Sequence, residues 1–399
     1  MPASPSTARA INDRLALELL QREGPLTAGQ LKSMTGLSRP TVADLVERLQ
    51  GSGLVRVVGE AGAERRGPNA RLYGLVADRA HLAALDVRTR SVTVVVADLL
   101  GTTLARASLP IGGDTGTEPA VEQAAALLER TVARAGAARL HSVGIGAPGL
   151  IDPASGELRE TTGLPAWHRR LVTALQDRLP ARVLVENETN LAALAEQRVG
   201  AASDRESFAF LWLGHGVGAG LVLDGRLRRG SSGGAGEIGF LPVPGTGGTP
   251  SAVDCDGGFH SLAGSAAVCA LAERHGLRPG GQDGPAAASA AAGAVAAAVA
   301  GGHTAFVDEL AGRLALGAAA VVAVLDPGCV VLGGEVGHAG GPELAARVET
   351  SLAAMSPLRT EVRPGGLGGD AVLRGALLVA QEAAQDDLFA DTAQPGPGG

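Results

Sequence analysis

The 399-residue sequence predicts an α/β protein led by a small helical module, and three observations carry that prediction. Residues 9–75 alternate helical periodicity, turn signals and a β-prone pair. From about residue 81, short buried β-runs repeatedly end in glycine or polar residues. Charge divides at the same point: residues 1–75 carry ten Arg or Lys against seven acids, a net +3, while the remainder is −10 within a formal total of −7. A mildly basic module on an acidic body is the pattern of a small nucleic-acid reader attached to a larger unit. A 45% hydrophobic content with 19% charged residues excludes a wholly disordered chain. Cys255, Cys269 and Cys329 are too few for a disulfide scaffold and match no zinc spacing. No Arg- or Lys-flanked apolar segment opens the chain, and the Ala-rich run 286–300 is shorter than the ~20 residues of a membrane span. A cytoplasmic protein with no membrane partner is therefore expected.

In the first module, Ile11, Leu15, Leu17, Leu19 and Leu20 recur at roughly helical spacing and predict a helix over 9–23, stopped by Gly24-Pro25. Thr27 suits the N-cap of a short helix holding Leu31 and Met34, and Thr35-Gly36-Leu37 forms a tight turn. Ser38 suits the N-cap of the next helix, where Pro40 is tolerated in the first turn. That helix buries Val42, Leu45, Val46 and Leu49 and ends at Gly51-Ser52-Gly53. The runs Leu54–Val58 and Arg71–Leu75 then read as a hairpin around a Gly-rich loop. Helix, helix, turn, helix and hairpin is a winged helix-turn-helix over residues 1–76, whose second turn helix enters the major groove of duplex DNA. Ser38, Arg39, Thr41 and Arg48 on that helix, Arg65 and Arg66 at the wing tip, and Arg71 are the candidate DNA contacts.

In the body, Leu82–Asp86, Ser91–Leu99 and Thr103–Leu109 read as strands, followed by a helix over about 118–136. Val143–Gly146, Val183–Val185 and Phe208–Leu213 read as buried strands, and Val321–Leu325 and Val330–Leu332 as two more flanking Asp326-Pro327-Gly328. Polar or glycine residues follow these runs, at the strand ends where open α/β sheets bind ligands. Alternating glycines, as in 214–220, let backbone amides approach an anion. Trp167 and Trp212 are expected in the core, Cys269 and Cys329 as buried thiols, and His215 in solvent. Residues 276–303 read as a loosely ordered insertion with one helix, and 384–399 as a disordered tail.

Read together, these stretches resemble the ROK family of repressors, open reading frames and kinases. The carriers are Thr-Gly-Leu-Ser-Arg-Pro-Thr-Val at 35–42, Gly-Ala-Pro-Gly-Leu-Ile-Asp at 146–152 and Glu-Asn-x-x-Asn at 186–190. The glycine run from Gly214, Gly-Ala-Gly-Glu-Ile-Gly at 234–239, and Asp-Pro-Gly…Leu-Gly-Gly at 326–334 complete them. The resemblance implies a two-lobed actin and sugar-kinase-like (ribonuclease H-like) body: one lobe over 81–200, completed by a C-terminal helix at about 370–383, and a second over 201–369. It also implies that a winged helix ahead of this body marks a transcription factor, active as a homodimer or homotetramer.

Departures from the family pattern qualify the chemistry. The general-base aspartate of the family's kinases is replaced by Glu188, whose extra methylene displaces the carboxylate by ~1 Å, enough to spoil general-base geometry. In the first phosphate loop, Asp-x-Gly-x-Thr, the glycine and threonine positions hold Arg88 and Arg90, which opposes ATP binding. The family's zinc ligands, one His and three Cys, correspond to Phe240, Ser251, Val253 and Gly258, so no zinc is expected. Among sugar-facing positions Asn187 and Glu237 remain, Glu188 is conservative, and Gly163, Phe240 and His260 are altered. Asn187, Glu188, Glu237 and His260 are the candidate effector contacts. The expectation is a DNA-binding regulator, a repressor by family resemblance, with no catalytic residue, no cofactor, and a sugar, sugar phosphate or other small effector. The alternative is an ATP-dependent sugar kinase that retains a DNA-binding module.

Overall fold

Local capping sets the geometry of the N-terminal module. The computed structural model describes residues 5–61, 70–159, 165–251, 255–279 and 285–390. Helix α1 (Pro5–Glu23) is followed by the short strand β1 (Leu26–Thr27), α2 (Ala28–Thr35) and α3 (Arg39–Gly51). Thr27 Oγ1 accepts from the Gln30 amide at 3.2 Å, and the Gln30 side chain accepts from the Thr27 amide at 2.9 Å, a reciprocal cap that satisfies two otherwise orphaned donors. Gly36 adopts φ 71°, the left-handed conformation that ends α2 without a Cβ penalty. Ser38 caps α3 by accepting from the Thr41 amide. Strands β2 (Val55–Ala61) and β3 (Ala70–Leu75) pair antiparallel, with β1 on the far side of β3. Leu17, Leu31, Val42, Leu45 and Leu49 are buried between the helices and this sheet, whereas Ile11 and Leu15 stay exposed. The tip of the wing, including Arg65 and Arg66, lies outside the described residues.

The body contains two five-stranded sheets of one plan. In the first, β4 (His81–Arg88), β5 (Ser91–Asp98) and β6 (Thr103–Pro110) are antiparallel, and α4 (Thr117–Arg134) leads to β7 (Ser142–Ala147). Helix α5 (Trp167–Arg178) leads to β8 (Arg182–Asn187), and the sheet order is β6-β5-β4-β7-β8. Helix α6 (Glu188–Val199) then crosses to the second sheet. There β9 (Phe208–Leu213), β10 (Val217–Leu223) and β11 (Arg226–Leu227) are antiparallel. After α7 (His260–Ala263), α8 (Ser265–Arg274), α9 (Pro285–Gly301) and α10 (Thr304–Leu325) comes β12 (Cys329–Gly333). Helix α11 (Gly334–Met355), kinked at Gly341-Pro342, precedes β13 (Glu361–Pro364), giving the order β11-β10-β9-β12-β13. Each sheet thus places its third, second, first, fourth and fifth strands side by side, the doubled arrangement of a sugar-kinase-like body. The C-terminal helix α12 (Ala371–Ala390) returns to the first lobe and packs on β4, β7 and α6.

Helix α12 also carries the N-terminal winged-helix module. One continuous core joins Leu17 and Leu20 of α1 to Leu377, Leu388 and Phe389, and Arg14 donates to Asp386 at 2.7 Å.

Three expectations change. Val321–Leu325 is not a strand: Val321 and Val322 extend the buried face formed by Leu310, Leu314 and Ala318, so the run ends helix α10. Residues 384–390 are not a disordered tail, because Leu388 and Phe389 are buried and hold α12 in helix to Ala390. Within 276–303 the one expected helix is α9, but with Ala291, Val295 and Ala298 fully buried it is packed into the core rather than loosely held. Trp167, Trp212, Cys269 and Cys329 are buried and His215 is exposed.

Candidate functional site

The DNA-facing candidates divide by environment. Ser38, Arg39 and Arg71 are exposed, as are Lys32 and Arg56 nearby, while Thr41 is half-buried. The Ser38 and Thr41 hydroxyls lie 2.8 Å apart and bond to each other, which fixes the first turn of α3 and leaves Arg39 as its exposed cation. Arg48 is not placed as a DNA contact. Its guanidinium donates to Asp13 at 2.6 Å and also pairs with Asp44, tying the last turn of α3 to α1. The cause is Asp13, whose side chain is 2% exposed and needs a countercharge.

The second site is the cleft between the sheets. Register aligns Asp86 with Gly146 and Gly146 with Glu186, so β4, β7 and β8 present one row at their C-terminal ends. Helix α6 begins immediately after β8, with Glu188 in its first turn. Arg88 spans the cleft: Nε donates to Asp86 at 2.9 Å and a terminal nitrogen donates to Glu335 at 2.8 Å. Its guanidinium also lies 6.0 Å from the Trp212 ring centroid. A second tie crosses nearby, from Arg229 to the buried Glu186.

Burial, followed by repulsion from Asp86, pushes the Glu188 carboxyl up to about 8, with Glu335 and Glu237 adding to the rise and Arg88 opposing it. Burial also raises Glu237. Glu188 and Glu237 are close enough to repel each other, and His260 lies beside Gly239, two residues beyond Glu237. Asn187 is already used: its Nδ2 donates to the Gly149 carbonyl at 3.0 Å, and its Oδ1 accepts from the Thr189 and Asn190 amides, capping α6. Gly163 lies outside the described residues.

Glu188 sets a pH dependence. Its folded value lies above the ordinary 4.5, so the folded chain holds a proton that the unfolded chain has released. Its contribution to stability is therefore complete below about pH 4.5 and is lost as pH rises through about 8. Glu188→Gln should flatten the fall in melting temperature between about pH 5 and 8. An unchanged slope in thermal melts across that range would remove the assignment.

The loop that carries family zinc ligands is held by other means. Phe259 is fully buried and nests against Gly317, where a Cβ would lie 2.3 Å from its ring. The Phe259 amide donates to Leu241 O and the Gly258 amide to Cys255 O, each at 2.9 Å. Phe240 and Gly258 offer no ligand atoms, and Val253 lies outside the described residues. No group of three or more His, Cys, Asp or Glu placed to hold a metal occurs among the described residues. Among those residues, no helix is long and apolar enough to cross a membrane.

Glu335 and the Arg229–Glu186 tie were missed by sequence reasoning. Arg88 was noticed only as an ill-fitting loop residue, since its partner on α11 is 247 positions away. The one available signal was an arginine in a glycine-requiring loop, which calls for a carboxylate somewhere.

Fold and site together define a winged-helix module on a two-lobed, sugar-kinase-like body. The ROK family profile matches residues 82–383, and the chain belongs to the ROK family. The MarR family profile matches residues 11–66. The chain is 26% identical over 239 residues to the xylose repressor of Caldicellulosiruptor bescii, a match covering 59% of each chain. It is 28% identical over 264 residues to a glucokinase of Halalkalibacterium halodurans, covering 61% of this chain and 77% of that one. The crystal structure of a ROK family transcriptional regulator, a homolog of the E. coli MLC protein, superposes with a TM-score of 0.76 at 20% identity, covering 97% of this chain and 99% of the other. By sequence, the match to the xylose repressor spans less than two thirds of that protein's length.

Proposed function

We propose that this chain is a transcriptional regulator, a repressor, that binds duplex operator DNA through its winged helix and uses the kinase-like body for effector sensing and self-association. The observation that carries the reading is the capped helix α3, with Arg39 exposed at its N-terminus, where such helices meet base edges. The repressor relative supports it, and a homodimer or homotetramer would present paired recognition helices to a pseudo-palindromic site. The body is non-catalytic in this reading. Arg88 fills the first phosphate loop and its charge is already engaged by Asp86 and Glu335, while Glu188, the longer carboxylate, holds its proton near neutrality. ATP and zinc are accordingly not cofactors. A sugar, sugar phosphate or other small effector would meet Glu188, Glu237 and His260.

The test is DNA affinity on a sequence selected from random duplexes. Arg39→Ala should weaken binding by about tenfold or more and reduce the salt slope by about one. Unchanged affinity and slope would sink the recognition-helix assignment. The glucokinase relative favours a second reading, a sugar kinase. ATP-dependent phosphorylation of a hexose, abolished by Glu188→Ala, would establish it; no turnover is expected.

A further inference from the structure

Given the DNA-binding reading above, on which this rests, we infer that Asp44 on helix α3 reads sequence in the duplex. Its carboxylate selects a C·G base pair by accepting a hydrogen bond from the cytosine N4 amino group.

Helix α3 presents an unexpected charge to a polyanion. Val42, Leu45, Val46 and Leu49 form its buried face. At about 3.6 residues per turn, Asp44 and Glu47 each fall within about 30° of the line directly opposite. Both are exposed. A carboxylate on that line is repelled by the DNA phosphates and lowers non-specific affinity. It favours binding only where a base edge donates a hydrogen bond to it.

The two acids differ in position and in how they are held. Asp44 is the sixth residue of the 13-residue helix, within the N-terminal half that meets base edges, whereas Glu47 lies almost a turn further on. Arg48 Nη1 donates to Asp44 Oδ2, while Nη2 and Nε of the same guanidinium donate to Asp13 on α1. The Asp13 side chain is 2% exposed and that of Asp44 is 61% exposed, so one arginine joins a buried carboxylate to an outward one. Anchored at Asp13, Arg48 cannot swing away as the partner in a free surface pair does. It therefore fixes Asp44 and offsets part of its charge. Asp44 Oδ1 accepts from no group among the described residues and stays available. The Glu47 carboxylate has no partner among those residues, and its longer side chain has more rotamer freedom to lose on binding.

The base follows from the acceptor. In the major groove cytosine offers only its amino donor, and adenine sets a donor beside the N7 acceptor. Guanine and thymine present acceptors there. A fixed carboxylate oxygen thus fits cytosine, is partly opposed by adenine, and is rejected by guanine and thymine.

The test selects binding sequences from randomised duplexes with the full chain, then measures affinity for the selected site and its single-base variants. Replacing one particular C·G pair of the parental site should weaken binding about tenfold or more. Asp44→Ala should cut that discrimination to about twofold or less at this pair alone, with the salt slope unchanged and non-specific affinity equal or higher. Asp44→Asn, which sets a donor beside its acceptor, should shift the preference there to A·T. Glu47→Ala should leave the selected sequence as it is. The inference is overturned if Asp44→Ala selects the parental sequence, if the pair it relaxes is not C·G in the parent, or if Glu47→Ala relaxes the same pair. A lower melting temperature for Asp44→Ala with an unaltered selected sequence would also overturn it, leaving the Arg48 pair a role in helix stability alone. Failure of the parent to enrich any sequence would instead remove the DNA-binding reading itself, and this inference with it.

Discussion

Arg48→Met will destabilise the protein by about 3–5 kcal/mol, far more than Arg39→Ala nine residues earlier on the same helix. Asp13 is the reason. Its side chain is 2% exposed, and Arg48, 31% exposed, supplies its ionic partner at 2.6 Å. Removing the guanidinium leaves an uncompensated carboxylate between α1 and α3. Asp13→Ala should cost less, because Arg48 would keep Asp44 and partial access to water. Asp13→Asn combined with Arg48→Met should recover part of the loss, since no buried charge then remains. Urea unfolding of the four variants checks the order. Equal stability of Arg48→Met and the parent would show that the pair carries no structural role and return Arg48 to the list of DNA contacts.

Gly375→Val is expected to cost about 3 kcal/mol or more and to weaken DNA binding together with stability. A Cβ at Gly375 would lie 2.0 Å from the Leu191 carbonyl oxygen, and one at Gly144 would lie 2.0 Å from the Ala376 carbonyl oxygen. These are backbone atoms, so no side-chain rotation relieves the clash, and α12 must move away from α6 or β7. The same helix bears Leu388, Phe389 and Asp386, on which α1 is seated. A displacement at Gly375 therefore reaches the N-terminal winged-helix module. Gly312→Ala on α10, whose added Cβ meets nothing within 4 Å, is the control and should gain about 0.5–1 kcal/mol. If Gly375→Val unfolds at the same urea concentration as the parent, the close packing of α12 on α6 is wrong.

Much of the fold was legible because its signals are local. Thr27 and Ser38 cap helices through amides three residues away, and Gly36 ends a helix by its own dihedral. Strands of the two sheets were found from buried runs ending in glycine or polar residues. The misreadings share one cause, since Val321–Leu325 and residues 384–390 have compositions that suit more than one state. Their states follow from what lies against them: the apolar face of α10 in one case, the seat of the N-terminal module in the other.

For the functional site the division is sharper. By itself the sequence determined that a capped turn helix with an exposed arginine precedes a doubled kinase-like body, and that the family's general base, phosphate loop and zinc ligands are altered in it. Those are statements about residue types at positions, and residue type is local information. Only the tertiary structure decided that Arg48 serves Asp13, that the Asn187 Nδ2 is spent on the Gly149 carbonyl, and that Arg88 joins Asp86 to Glu335 across the cleft. A charge acquires its role from the countercharge and the burial it meets, and the deciding partners, Asp13 for Arg48 and Glu335 for Arg88, lie 35 and 247 residues away along the chain.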